Sequence, residues 1–279
     1  MVDYKPTFEL AGDKVGITYV AVRNKVIWDH KSVAHDWLVT FAAWTCFRAY
    51  SPLILVGLSM GGQITRELLD ADSELETVEA EFDSLCYIAN GIRLASNLSL
   101  VPWPVEVPEP TDDRASLLSD EKRLCFDIAI LTAAATFLHE LAHVRFWAHG
   151  NAPTEAREEE KACDAFSREF LLSQVSAYAN ESGYEEILVR RKRVMGLATA
   201  AFIIDESSRN AGPNDTHPST GDRFRHLALH YLQLPDNDDA WMYTASLMLA
   251  SARRRGITPT DISFKSVRDL CDQLADSLD

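Results

Sequence analysis

The chain has 279 residues, enough to bury a large core in one elaborated domain or two. Its 42 Asp and Glu outnumber 27 Lys and Arg, and the net charge of −15 makes nucleic acid a poor partner, because holding phosphates takes clustered cations. No signal-peptide pattern opens the chain, the longest apolar runs are interrupted by Arg48 and Pro52 or by Asp127, and the five scattered cysteines form no C-x-x-C. The expectation is a cytoplasmic protein with reduced thiols and no membrane span.

Within residues 7–28, strands are predicted at 15–22 and 26–28. A helix follows over 32–50, with Trp37, Phe41, Trp44 and Phe47 as an aromatic core stripe. The apolar run 51–62 contains Gly57-Leu58-Ser59-Met60-Gly61, a G-x-S-x-G pentad. With a strand before it and a helix after it, Ser59 would stand on the nucleophile elbow of an α/β-hydrolase-like serine hydrolase. That chemistry also needs an acid and a histidine on later strands, yet residues 119–208 read as almost continuous helix. The competing account is that the glycines permit close packing of a helix or strand. A helical stretch then runs to about residue 83. A hairpin is predicted next, with strands at 88–94 and 98–101 across Ala95-Ser96-Asn97, and its free edge would receive an extended substrate. Pro102, Pro104, Pro108 and Pro110 make 102–113 a loop placed to cover a cleft.

Residues 124–149 read as one long helix. Leu124, Ile128, Leu131, Ala135, Leu138 and Ala142 keep a three-and-four rhythm, and Ile130, Ala134, Phe137 and Leu141 make the other faces apolar too. Ser119 or Asp120 caps its start and Gly150 marks its stop. This helix carries His139-Glu140-Leu141-Ala142-His143, an H-E-x-x-H run. Residues four apart lie about 40° apart around a helix axis, so both imidazoles face one point and can share a Zn²⁺. Glu140, beside them, can deprotonate a metal-bound water.

Residues 151–154 read as a turn, and a second helix runs to about residue 180 with an acidic first turn. Glu160 and Asp164 share one face, so Glu160 can be the third metal ligand while Asp164 accepts the free ring N–H of a ligand histidine. Glu158 and Glu159 stay open as alternatives, because the gap from His143 is short. Cys163 reads as a small core residue. Beyond the basic run 190–193, a helix is expected over 194–210. The segment Thr216-His217-Pro218-Ser219 then precedes Gly221-Asp222-Arg223-Phe224 and another amphipathic helix. Helices over 239–253 and 264–279 complete the chain.

His139/Glu140/His143, then Glu160/Asp164, then Thr216-His217-Pro218-Ser219 with Arg223, stand in the order seen in M48-type metallopeptidases. The chain resembles most closely the Lit-like phage-exclusion peptidases, peptidase family U49, over roughly residues 85–232. It departs from the usual E-x-x-A-D, reading Glu160-Lys161-Ala162-Cys163-Asp164. The resemblance implies a gluzincin fold, a single zinc, and cleavage of an intracellular protein in phage defence. It makes His217 a transition-state stabiliser and Arg223 a group that orients the site. The fold expected is α+β and mostly helical, with a small antiparallel sheet beside the metal-binding helix. The division expected is an N-terminal α/β accessory region (1–84), a zinc metallopeptidase core (85–234) and a C-terminal helical extension (235–279). Substrate identity and oligomeric state are not encoded in any motif.

Overall fold

Two thirty-residue helices, each too apolar to stand alone in water, organise the protein. The computed structural model describes residues 7–10, 20–21, 25–28, 30–70, 73–210, 217–229, 233–257 and 262–279. Strands β1 (Thr7–Leu10), β2 (Val20–Ala21) and β3 (Lys25–Trp28) form a sheet in the order β1-β3-β2, with β1 parallel and β2 antiparallel to β3. The first long helix, α1 (His30–Ser59), leads to β4 (Gln63–Ile64), α2 (Arg66–Asp70) and α3 (Ser73–Leu94). The second, α4 (Asp120–His149), is followed by α5 (Ala156–Ser173), α6 (Val175–Ser182) and α7 (Glu186–Asn210). Helices α8 (Thr220–Phe224) and α9 (Asp239–Arg254), strand β5 (Ile262–Ser263) and helix α10 (Val267–Ser277) follow.

The mostly helical α+β architecture is the one expected. The small antiparallel pairing beside α4 is present as well, but β2 and β3 supply it. Of the strand expected at 15–22, only Val20–Ala21 lies among the described residues. The hairpin expected at 88–101 does not exist. Residues 88–94 are the last turns of α3, and Leu98–Leu100 is a single 3₁₀ turn capped by Asn97, whose side chain accepts from Ser99 N at 3.0 Å. Leu75, Phe82, Leu85, Cys86, Ala89 and Ile92 are buried in one helical rhythm against α1, and that long-range burial overrides the local strand preference of the last turns.

The nucleophile elbow is also absent. Residues 51–59 continue α1 through Pro52, with Leu53, Ile54 and Gly57 buried against the core. Ser59 ends the helix, exposed, and its Oγ donates to Val56 O at 2.7 Å. The glycines serve packing. Gly61 and Gly62 turn the chain at φ 93° and 77°, and a Cβ on Gly62 would stand 1.7 Å from the Phe264 carbonyl oxygen. That approach lets β4 pair antiparallel with β5 across two hundred residues of sequence.

Ser119 caps α4 by accepting from Lys122 N at 3.2 Å, Asp120 and Glu121 suit the positive end of the helix, and Gly150 closes it at φ 64°. Helix α7 crosses α4 at Gly196, where a Cβ would meet Leu131 Cβ at 2.6 Å. One hydrophobic core runs from Ala34 to Leu278, drawing on residues from all three stretches 1–84, 85–234 and 235–279. By length and composition α1 and α4 are each apolar enough to cross a membrane, and 44% and 50% of those apolar windows are buried inside the protein.

Candidate metal centre

Helix α4 presents His139 and His143 one turn apart, with ring centroids 5.1 Å from each other. After Gly150 the chain turns back, and α5 lies antiparallel along α4. Three side-chain contacts give the register: His143 to Glu159, His139 to Asp164, and Ser167 Oγ to Ala135 O. The first two are the important ones. His139 Nδ1 is 2.8 Å from Asp164 Oδ1, and His143 Nδ1 is 2.8 Å from Glu159 Oε1. In a neutral ring, each carboxylate would take the Nδ1–H and leave the Nε2 lone pair for a metal.

Both Nε2 atoms face Glu160, at 3.5 Å from its Oε2 for His139 and 3.3 Å from its Oε1 for His143. One ligand atom from each of His139, His143 and Glu160 lies within 4.8 Å of the others. Among the three adjacent glutamates, Glu160 enters the cluster and Glu159 supports His143. Glu158 is exposed and pairs with Lys161 at 3.0 Å. The part played by Glu159 was missed in the sequence. Its signal was the tight turn after His143, which brings the start of α5 back onto the end of α4.

The third block arrives from the far side. Ser219 caps α8 by accepting from Asp222 N at 3.1 Å, and Phe224 anchors that short helix in the core. Arg223 is thereby driven inward, 1% exposed. It donates through Nη1 to both Asp164 oxygens at 3.1 and 3.3 Å and through Nη2 to Glu160 Oε2 at 3.1 Å. His217 Nδ1 lies 3.3 Å from Glu160 Oε2 with no hydrogen bond of its own. Thr216 lies outside the described residues. All seven residues singled out for the site (His139, Glu140, His143, Glu160, Asp164, His217, Arg223) therefore belong to one neighbourhood.

Four carboxylates (Glu140, Glu159, Glu160, Asp164) meet three imidazoles (His139, His143, His217) and the guanidinium of Arg223. Burial opposes the charged form of Glu160, yet its contacts with His139, His143 and His217 hold its carboxyl far below the usual range. Burial likewise opposes a charged His139, but Asp164 and Glu160 outweigh it and push the imidazole up to about 10. His143 moves up too, as Glu160 and Glu159 prevail over burial and the neighbouring His139. Glu140 is raised by burial, against the pull of His139 and His143. Two imidazole nitrogens and a carboxylate are a donor set that can hold a metal ion, which would replace the protons these groups otherwise share. Cys163, fully buried with its thiol pushed up by burial, stands as a core residue outside that donor set.

A protein-family model described as Peptidase U49 matches residues 26–244, a span that contains every residue of this site. No curated protein and no solved structure matches the chain.

Proposed function

The chain belongs to the Peptidase U49 family and is a peptidase, and from that premise we propose that it is a zinc-dependent endopeptidase acting on an intracellular protein. The observation that carries the metal dependence is the convergence of His139, His143 and Glu160 while both Nδ1 atoms are committed to carboxylates. Two imidazoles and one carboxylate are a donor set of hydrolytic zinc, with a fourth position left for water or substrate. When bound, zinc supplies a Lewis acid that brings the pKa of its water to about 7 and polarises a carbonyl.

The chain's own residues do the rest. Glu140 takes the proton of the attacking water and hands it to the leaving amine. Its raised pKa suits a base that must later serve as an acid. His217, partly exposed at the edge of the cluster, donates to the carbonyl oxygen as that oxygen gains charge. Arg223 holds Glu160 and Asp164 in place. Among the described residues β2 is an outer strand of the sheet on α4, and an extended substrate would add to its edge. The acidic balance of the chain favours a protein over nucleic acid as partner, and the family likeness favours a cytoplasmic role in phage exclusion.

The test joins metal analysis with cleavage. Wild type and Glu140→Gln, purified without chelators, are expected to hold about one zinc per chain. N-terminal profiling of cells expressing each should reveal new protein ends with the wild type alone. Equal new ends in both would remove Glu140, and with it the metallopeptidase reading.

A further inference from the structure

Helix α8 is gripped from two sides. Arg225 caps the end of α8 with its backbone still helical, and residues two apart on a helix point about 200° apart around its axis, so Arg223 and Arg225 leave in opposite directions. Arg223 turns inward to Glu160 and Asp164. Arg225 turns outward to Asp276 of α10 and to Asp279 just beyond that helix, and it also meets Asp222 at 3.3 Å. Asp279 accepts from the Ser219 hydroxyl and shares with it the Asp222 backbone N–H, at 3.2 Å, an amide with no partner inside the helix. Between the two grips lies Gly221. A Cβ there would stand 2.0 Å from the Ala275 carbonyl oxygen and 2.4 Å from Asp279 Oδ1, so α8 and the end of α10 touch with no side chain between them. On the other side, Asp222 pairs with Arg157 at 2.8 Å, on the same first turn of α5 that leads to Glu160.

We propose that Asp279 is a positioning residue of the metal site: with Arg225 it fixes α8 so that Arg223 and His217 meet Glu160. This rests on the reading of the site as a metallopeptidase centre. Arg223 is buried, and its grip on the site runs through Nη1 and Nη2 alone, its Nε being unpartnered. Helix α10 itself is held by an apolar face, Val267, Leu270, Cys271, Leu274 and Ala275, which does not depend on Asp279. Loosening the outer grip therefore disorders the site and leaves the fold in place.

Asp279→Asn and Arg225→Gln break the grip, while Asp279→Glu keeps its charge. The readouts are kcat and KM on a cleaved substrate, the visible spectrum of the cobalt-substituted protein, the hydrogen exchange of the Arg223 Nη–H groups by NMR, and the melting temperature. The Asn and Gln variants should lose about tenfold or more in kcat with KM little changed, because small misplacements near reacting groups are felt in rate. They should also show an altered cobalt spectrum and faster Arg223 exchange at an unchanged melting temperature, with Asp279→Glu recovering towards wild type. Wild-type rate and wild-type exchange in both variants would overturn the proposal. So would losses that merely follow a lowered melting temperature in both. If the wild type neither cleaves nor binds cobalt, the metallopeptidase reading falls separately, and the Arg223 exchange still decides whether Asp279 places α8.

Discussion

His143 and His139 look alike in the sequence but depend on different carboxylates, and the difference can be measured one residue at a time. His143 leans on Glu159 near the surface, whereas His139 leans on Asp164, which is fully buried and shared with Arg223. Removing the acceptor of a ligand histidine frees its tautomer and typically costs metal affinity about 10–100-fold. Glu159→Gln should therefore weaken zinc binding by about that factor in a competition titration with a chromophoric chelator. An unchanged affinity would deny Glu159 its supporting part. His217→Ala should show the reverse pattern, holding zinc as tightly as wild type while losing about 10²–10³ in kcat as an oxyanion donor does. Tight coupling of His217 to metal retention would make it a ligand instead.

At the scale of elements, the instructive stretch is the end of α1. Its G-x-S-x-G pentad has the letters of a nucleophile and the geometry of a helix stop. Ser59→Ala removes one exposed hydroxyl that bonds its own helix, so stability should stay within about 0.5 kcal/mol and cleavage should be unchanged. Gly62→Ala forces a side chain into a positive-φ position and against the Phe264 carbonyl, parting β4 from β5. Urea unfolding should register a loss of about 2–3 kcal/mol. A neutral Gly62→Ala, or a Ser59→Ala that abolishes cleavage, would reinstate a chemical role for this turn. Helices α4, α9 and α10 were legible from their apolar pattern and recognisable ends, such as Ser119 and Gly150, whereas the helix expected to run to about 180 breaks after Ser173 and α7 begins at Glu186, taking in the basic run 190–193. The last turns of α3 were not, because their side chains suit a strand locally and only packing on α1 makes them helical.

For the molecule as a whole, the candidate metal site is a weld between regions far apart in sequence. It joins α4, α5 and α8, which in turn are backed by α7 and α10 within one core. A ligand that binds only the folded state stabilises it, by about 2.7 kcal/mol at a free concentration a hundred times its Kd. Zinc should raise the melting temperature of wild type and of Glu140→Gln alike, since Glu140 lies outside the three-residue cluster. Glu160→Gln should lose that rise, because it removes a charged ligand from the cluster. A zinc-dependent rise in Glu160→Gln equal to wild type would place the third ligand elsewhere.

The sequence by itself determined which residues would be brought together. The histidine spacing on α4, the Glu160/Asp164 spacing on α5 and the His217/Arg223 block are local patterns, and local helix geometry is enough to say which side chains face together. Tertiary structure decided which of three adjacent glutamates enters the cluster, that Glu159 supports His143, that the glycines after Ser59 seat β5, and that Asp279 backs Arg223. Those outcomes depend on how closely separate backbones approach and at what register. Such distances arise from packing the whole core, and no periodicity along the chain records them.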